Sequence, residues 1–200
     1  MSDTIDFYFD LSSPYGYLAS CRADEIENET GKTLIWIPYL MGAVFKETGR
    51  QPLVTYPLVS DYAYMDIARA ARKIEAPFTR PEKFPVMTAA ACRACYWAES
   101  ERKGACKDVS LSLYHAYFVD NRDISKPDTV LDVLENLGFD RDQARAAINS
   151  DAIKELARKI TSRAIERGIF GSPFFVVEEE AFWGNDRVDD LILWCQKGGW

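Results

Sequence analysis

Apolar and polar residues follow the periods of strands and helices from the start of the chain. Residues 4–10 form a compact apolar run rich in aromatic side chains, which predicts a strand. Residues 13 to about 28 follow a helical pattern that closes at Gly31, and residues 33–39 form a second apolar strand. This order and spacing indicate a right-handed strand–helix–strand unit with parallel strands.

The middle of the chain has a different character. Residues 42–57 contain two glycines and two prolines without a clear period, so we predict a loop there. Helices are then predicted near residues 59–75, 86–103, 108–119, 128–137 and 140–149, with prolines at several of their boundaries. We therefore expect residues 42–150 to form an all-helical insertion.

The end of the chain returns to strands. Residues 151–168 predict a helix, residues 171–177 a strand and residues 181–183 a return strand after a turn of three glutamates. A last helix, capped by Asn185 or Asp186, is predicted to reach residue 197. Together with the start, this order predicts an α/β fold of the thioredoxin type, βαβ…ββα. Residues 1–41 and 151–200 would form the thioredoxin-like domain, with 42–150 inserted as a helical domain.

Charge and composition narrow the possible partners and compartments. The net charge of −7 argues against a nucleic acid or an anionic membrane as partner. No apolar run approaches the roughly 20 residues that span a bilayer, and the first residues carry no secretory signal. The five cysteines are scattered and odd in number, which indicates reduced thiols in a cytoplasmic setting.

Ser13 and Pro14 mark the junction between the first strand and the first helix. Thioredoxin-like redox proteins place the first cysteine of a Cys-x-x-Cys motif at this point, but here the four residues run from Ser13 to Gly16 without sulfur. We therefore expect the site to stabilise a thiolate that another molecule brings, and glutathione is the obvious candidate. The alternative is an ordinary serine cap followed by proline at the first helical position.

A Cys-x-x-Cys spacing does occur elsewhere, at Cys92 and Cys95. Such a pair is either redox-active or half of a zinc site, and only Cys106 and His115 are near enough in sequence to complete a zinc site. The surrounding alanines and aromatic residues indicate a buried helix face instead. We predict thiols packed in the core and no metal site.

Three sequence strings carry a resemblance to a known family. They are Asp-Phe-Tyr-Phe-Asp-Leu-Ser-Ser-Pro at 6–14, Gly-Ser-Pro at 171–173 and Phe-Trp-Gly-Asn-Asp-Arg at 182–187. The chain resembles the 2-hydroxychromene-2-carboxylate isomerases, which belong with the kappa-class glutathione transferases. These proteins share a DsbA-like thioredoxin fold with a helical insertion, and the resemblance covers essentially the whole chain.

The resemblance implies roles for nine residues. Ser13 would hydrogen-bond the glutathione sulfur, and Ser172 would pair through its backbone with the cysteinyl part of glutathione. Pro173 would be cis, which only an X-Pro bond adopts readily. The γ-glutamyl end would be held by Trp183, Gly184, Asn185 and Asp186. Lys46 and Phe84 would contact the second substrate.

Three stretches of the helical insertion depart from the family pattern. Residues 86–88 read Val-Met-Thr where many members carry an asparagine, Gly49-Arg50 stands in place of Gly-Asn, and Val59 replaces a lysine. All three lie in the part of the chain that would shape the second-substrate pocket. The positions implied for glutathione are retained.

The activity that the resemblance implies is a glutathione-dependent isomerisation of a small aromatic or chromene-like carboxylate by a homodimer. Glutathione thiolate would add to a conjugated carbon, the ring would open and rotate, and elimination would regenerate glutathione as a cofactor. One alternative is a kappa-like transferase or peroxidase, which conjugates or oxidises glutathione. Another is a thioredoxin-fold binding module without catalysis, in which replacing Ser13 by alanine would change no glutathione-dependent turnover.

Overall fold

The computed structural model describes residues 2–200 and contains one mixed β-sheet. Its strands are β1 (Thr4–Phe9), β2 (Thr33–Pro38), β3 (Phe174–Val177) and β4 (Glu180–Trp183), in the order β2-β1-β3-β4. β1 runs parallel to β2 and antiparallel to β3, and β3 pairs with β4 as a hairpin. The predicted strand–helix–strand unit and terminal hairpin are thus confirmed, and with them the thioredoxin-like α/β fold.

Ten α-helices occur in residues 2–200, most of them in the segment between β2 and β3. They are α1 (Pro14–Ser20), α2 (Ala23–Thr30), α3 (Met41–Thr48), α4 (Val59–Lys73), α5 (Ala89–Glu101), α6 (Ala105–Phe118), α7 (Pro127–Asn136), α8 (Arg141–Asn149), α9 (Asp151–Glu166) and α10 (Val188–Lys197). None of these helices is both long enough and apolar enough to cross a bilayer. The domain boundaries 1–41, 42–150 and 151–200 remain a prediction.

Aromatic rings form the centre of the core beneath the sheet. Phe7 stacks on both Phe9 and Phe175 with ring centroids 4.8 Å apart, and Trp36 on the neighbouring strand meets Phe7 edge-on at 5.1 Å. Offset and edge-on pairs add a stabilising contribution beyond the area they bury. The aromatic residues that predict β1 are therefore also the ones that anchor this strand in the core. Their packing holds the C-terminal end of β1, where the polar residues of the chain begin, in a fixed position.

Two predicted elements in the first half of the chain are wrong. The single helix predicted over residues 13–28 is two helices, α1 and α2, separated by a turn at residues 21–22. Residues 42–57, predicted as a loop, contain α3 and a 3₁₀ turn at Leu53–Thr55. Leu40 at the start of α3 makes no side-chain cap, so the local sequence lacks the signal that usually marks a helix start.

The cap of α3 comes instead from the end of β1. Asp10 is buried, and its Oδ2 accepts a hydrogen bond from Met41 N–H at 2.9 Å. Its Oδ1 accepts from Ser12 N–H at 2.7 Å, and the Thr88 hydroxyl lies 3.2 Å from both oxygens. Burial raises the pKa of Asp10, while these donors act in the opposite direction. One carboxyl thus connects β1, α3 and the start of α5.

The predicted cap of the last helix is also wrong. Residues Asn185–Arg187 form a 3₁₀ turn, α10 begins only at Val188, and neither Asn185 nor Asp186 caps it with a side chain. The two polar side chains are therefore not used by the helix that follows them.

Replacing Thr88 by valine is expected to destabilise the fold through Asp10. Valine keeps the shape but removes a donor to a carboxylate, at a cost of about 1.5–3 kcal/mol in unfolding free energy. Thr88→Ser keeps the hydroxyl and is expected to cost about 1 kcal/mol for the lost methyl group. Urea unfolding at neutral pH measures both values, and equal losses in the two variants would contradict the role of the hydroxyl.

The pH dependence supplies a second check on the same variants. Folding raises the Asp10 pKa, so this group's contribution to stability is full below its unfolded pKa of about 3.9 and falls as pH rises through the folded pKa. Thr88 stabilises the ionised form, so the Thr88→Val loss is expected to shrink at acid pH. A loss that is the same at acid and neutral pH would argue against this coupling.

Candidate active site

Ser13 lies between the start of α1 and the loop before β3. It is the N-cap of α1, and its Oγ accepts a hydrogen bond from Gly16 N–H at 3.0 Å. The same hydroxyl donates to the Ser172 carbonyl at 2.8 Å. The structure thus joins Ser13 and Ser172, which are 159 residues apart in sequence.

The loop that carries Ser172 is held by contacts on several sides. The Ser172–Pro173 peptide bond is cis, as predicted, and the Ser172 hydroxyl accepts from Asp10 N–H at 2.9 Å. Tyr39 donates its hydroxyl to the Gly171 carbonyl at 2.6 Å. The Ser172 N–H donates to no acceptor within residues 2–200. This loop therefore offers a backbone donor beside the Ser13 hydroxyl.

The end of β4 lies next to the same loop. Gly184 N–H donates to the Pro173 carbonyl at 3.2 Å, which ties residue 184 to the cis peptide. Gly184 has φ 117°, and a Cβ there would lie 2.4 Å from Asp186 Oδ1, so the position requires glycine. Asn185 Oδ1 is buried without a hydrogen-bond partner in residues 2–200. An unsatisfied buried acceptor is costly, and it favours a ligand that supplies a donor.

Of the two residues predicted to contact a second substrate, Phe84 lies in a segment that is hydrogen-bonded to the start of α1. The Phe84–Pro85 bond is also cis, and Val86 N–H donates to the Ser12 hydroxyl at 3.0 Å, so the segment passes beside the start of α1. Phe84 is partly buried and meets Tyr64 at 6.2 Å. Lys46 is exposed on α3, a helix rather than the predicted loop. Within residues 2–200, no hydrogen bond or ion pair joins Lys46 to the other predicted residues.

Charged groups on α4 flank the site through Tyr15. The Tyr15 hydroxyl donates to Asp66 Oδ2 at 2.7 Å, and Arg69 pairs with the other oxygen at 2.7 Å. Burial and the hydrogen bond to Asp66 raise the pKa of Tyr15, and the charge of Asp186 adds to this shift. Burial alone would raise the pKa of Asp66, but the donors Tyr15 and Arg69 hold it below its usual value. The carboxylates of Asp66 and Asp186 thus both favour the protonated form of Tyr15.

Comparison with known proteins identifies the family. A model described as a DSBA-like thioredoxin domain matches residues 4–192. The chain belongs to this DsbA-like family. The 2-hydroxychromene-2-carboxylate isomerase of Sphingobium xenophagum is 30% identical over 193 residues, covering 96% of this chain and 97% of that protein. The glutathione S-transferase kappa 1 of Caenorhabditis elegans is 26% identical over 204 residues, covering 94% and 90%.

A solved structure gives the same assignment within the DsbA-like family. The chain superimposes on a 2-hydroxychromene-2-carboxylate isomerase with a TM-score of 0.87 and 25% identity, covering 97% of this chain and 95% of that one. The resemblance stated from the sequence strings is therefore confirmed. The relatives of this chain named above are isomerases and glutathione transferases.

In this DsbA-like chain, Gly16 lies in a crowded position at the start of α1. A Cβ on Gly16 would lie 2.5 Å from the Tyr114 hydroxyl and 2.9 Å from Ser172 Oγ. Tyr114 is itself fixed, because it is fully buried and donates to the Asp10 carbonyl at 3.0 Å. The absence of a side chain at residue 16 thus lets the cis-proline loop approach α1.

Cys92 and Cys95 are thiols packed in the core, as predicted. Both are buried on α5, and burial raises the pKa of Cys92 well above its ordinary value. A thiol held protonated is a poor nucleophile. Within residues 2–200 no group of three or more histidine, cysteine or acidic side chains could hold a metal ion.

Four residues that hold the DsbA-like site in place were not predicted from the sequence. These are Asp10, Tyr39, Thr88 and Tyr114. Asp10 could have been recognised from its position, because a carboxylate at the end of a buried aromatic strand needs hydrogen-bond partners. The other three residues come from distant parts of the chain, and no sequence pattern indicates their role.

Gly16→Ala is expected to lower the unfolding free energy by about 1–3 kcal/mol, the usual cost of adding a methyl group to a well-packed region. The matched control is Gly42→Ala on α3, where nothing lies within 4 Å of the added Cβ. That change is expected to be neutral or to stabilise by up to about 1 kcal/mol. Thermal and urea unfolding compare the two, and a Gly16→Ala protein as stable as Gly42→Ala would refute the close approach.

Proposed function

We propose that the protein is a glutathione-dependent isomerase of the 2-hydroxychromene-2-carboxylate isomerase type. The observation that carries the proposal is the hydrogen bond from Ser13 to the carbonyl of Ser172, at the cis Pro173. Thioredoxin-like proteins hold sulfur at this point, and here a hydroxyl takes the place of the cysteine. A site of this kind is suited to a sulfur that arrives with a ligand.

The donor and acceptor groups of the site fit glutathione. The free Ser172 N–H and the Ser172 carbonyl match the backbone groups of a cysteinyl residue, as in the pairing of two extended strands. The buried Asn185 Oδ1 and the exposed Asp186 carboxylate can accept from an α-ammonium group. Trp183 and Gly184 would complete this γ-glutamyl subsite.

The Ser13 hydroxyl would change its acceptor when the ligand binds. In the free site it donates to the Ser172 carbonyl. Once that carbonyl accepts a peptide N–H from the ligand, it is satisfied without the Ser13 hydroxyl, which can then rotate and donate to sulfur instead. After this change of acceptor, both the Ser13 hydroxyl and the Ser172 carbonyl still have a hydrogen-bond partner, so no buried polar group is left unsatisfied. Since α1 has only seven residues, we assign thiolate stabilisation mainly to this hydroxyl.

The bound cofactor would supply a nucleophilic thiolate that adds reversibly to a conjugated carbon of the substrate and is regenerated by elimination. Ser13 would keep this sulfur ionised by hydrogen bonding, which lowers the pKa of the thiol. Lys46 would attract the carboxylate of a small aromatic or chromene-like substrate, and Phe84 would contact its ring. The protein's part in the reaction is therefore positioning and electrostatic stabilisation.

An apolar surface supports the proposed homodimer. Leu58 is 95% exposed, and further apolar side chains around it are solvent-accessible. The members of this surface are Leu53, Tyr56, Leu58, Val59, Tyr62 and Met65. Contiguous exposed apolar side chains of this number favour a protein partner, and we propose a second copy of the chain.

Ser13→Ala is expected to raise the pKa of bound glutathione by about 1–2 units. A hydrogen bond to a charged group contributes about 1.5–3 kcal/mol, and one pKa unit corresponds to about 1.4 kcal/mol. The ultraviolet absorbance of the thiolate, followed against pH at saturating glutathione, measures the shift. Ser112→Ala, on α6, is the control. An unchanged pKa in Ser13→Ala would overturn the proposed role of the hydroxyl.

A kappa-like transferase is the second candidate, favoured by the 26% identity to the C. elegans kappa 1 enzyme. The two reactions differ in the fate of glutathione. We expect the free thiol concentration to return to its starting value after complete turnover of a chromene carboxylate. A stoichiometric loss of thiol would favour conjugation or peroxide reduction instead.

A further inference from the structure

Arg50 places its guanidinium over two aromatic rings. Its central carbon lies 5.5 Å from the ring centroid of Phe170 and 6.0 Å from that of Trp183. The two rings meet edge to face with centroids 4.9 Å apart. Arg50 follows Gly49, which ends α3 with φ 68° and turns the chain toward these rings. We call Phe170 and Trp183 the aromatic platform.

The aromatic platform is attached to the loop that holds Ser172. Phe170 precedes Gly171, and a Cβ on Gly171 would lie 1.9 Å from Trp183 Nε1. The indole therefore packs directly on the backbone next to Ser172. Trp183 is 50% exposed, so the platform is open to solvent and to a ligand. Arg50 thus stands beside the Ser13–Ser172 site although it belongs to the helical insertion.

The charge of Arg50 has no ionic partner within residues 2–200. This is notable in a chain with 31 acidic and 24 basic side chains. Its guanidinium lies over two aromatic rings, which attract its charge but offer no acceptor for its N–H donors. These donors remain available, and a carboxylate fits a guanidinium with two parallel hydrogen bonds.

We propose that Arg50 binds a carboxylate of the ligand that occupies the Ser13–Ser172 site. The inference rests on the proposed function for the identity of that ligand, and two sources of the carboxylate are possible. One is glutathione, whose glycyl and γ-glutamyl ends each carry a carboxylate, and the other is the acid group of the aromatic substrate. In either case Arg50 makes the site select ligands with a negative charge next to the aromatic platform.

The first experiment compares glutathione with glutathione amide, in which the glycyl carboxylate is neutral. Calorimetric titrations use the wild type, Arg50→Gln, Arg50→Lys and the control Arg158→Gln, which removes the same charge from an exposed position on α9. If Arg50 holds a carboxylate of glutathione, Arg50→Gln is expected to weaken glutathione about twofold to fivefold, as for a partly exposed ion pair. Lysine would restore part of the loss. Glutathione amide would bind equally to all four proteins if the partner is the glycyl carboxylate, and Arg50→Gln would weaken it as much as glutathione if the partner is the γ-glutamyl carboxylate.

The second experiment covers the other source. If Arg50 holds the substrate, the affinity for glutathione stays unchanged in Arg50→Gln, while the Michaelis constant for a chromene carboxylate substrate rises by a similar factor. An unchanged affinity for glutathione together with an unchanged Michaelis constant would overturn the proposal.

A third experiment separates this proposal from the proposed function. Benzoate and benzamide are titrated into each protein without glutathione, with tryptophan fluorescence as the signal. A preference for benzoate that Arg50→Gln removes would support the anion site even if glutathione fails to bind the wild type. If glutathione fails to bind and no such preference exists, both proposals are wrong.

Discussion

The buried carboxyl of Asp10 holds the elements of the candidate site in position through its hydrogen bonds. It stands where the aromatic strand β1 ends, and a polar group at that depth has to be satisfied. Its side chain holds the starts of α3 and α5, while its backbone binds Ser172, Ser13 and Tyr114. The helical insertion and the thioredoxin-like sheet are therefore aligned by one residue that takes no direct part in the proposed chemistry.

The polar groups around Ser13 are arranged so that most of them have a partner before any ligand arrives. The Ser13 hydroxyl is engaged with Ser172, and the Ser172 hydroxyl with Asp10. Within residues 2–200 the exceptions are the Ser172 N–H and the Asn185 side-chain oxygen. In the proposed function these two groups would bind different parts of glutathione, the cysteinyl backbone and the γ-glutamyl end.

The sheet could be predicted from the sequence because aromatic strand residues and the Gly-Ser-Pro turn are local signals. The pairing of Ser13 with Ser172 could also be predicted, since the thioredoxin topology brings those two turns to one edge. The helix α3 could not, because its cap is a carboxylate 31 residues earlier in the chain. The contact of Arg50 with Phe170 and Trp183 could not be predicted either, because a contact between residues far apart in the chain produces no periodic pattern in the sequence.

The crowding at Gly16 limits which chemistry this part of the fold can hold. A dithiol enzyme needs its second sulfur at this position, yet the Tyr114 hydroxyl already occupies the space where a Cβ would lie. Cysteines placed at both Ser13 and Gly16 would have to displace a tyrosine that is anchored to the backbone at the end of β1. A Cys-x-x-Cys disulfide therefore cannot be built here by two substitutions alone, because the packing around Tyr114 would have to change as well.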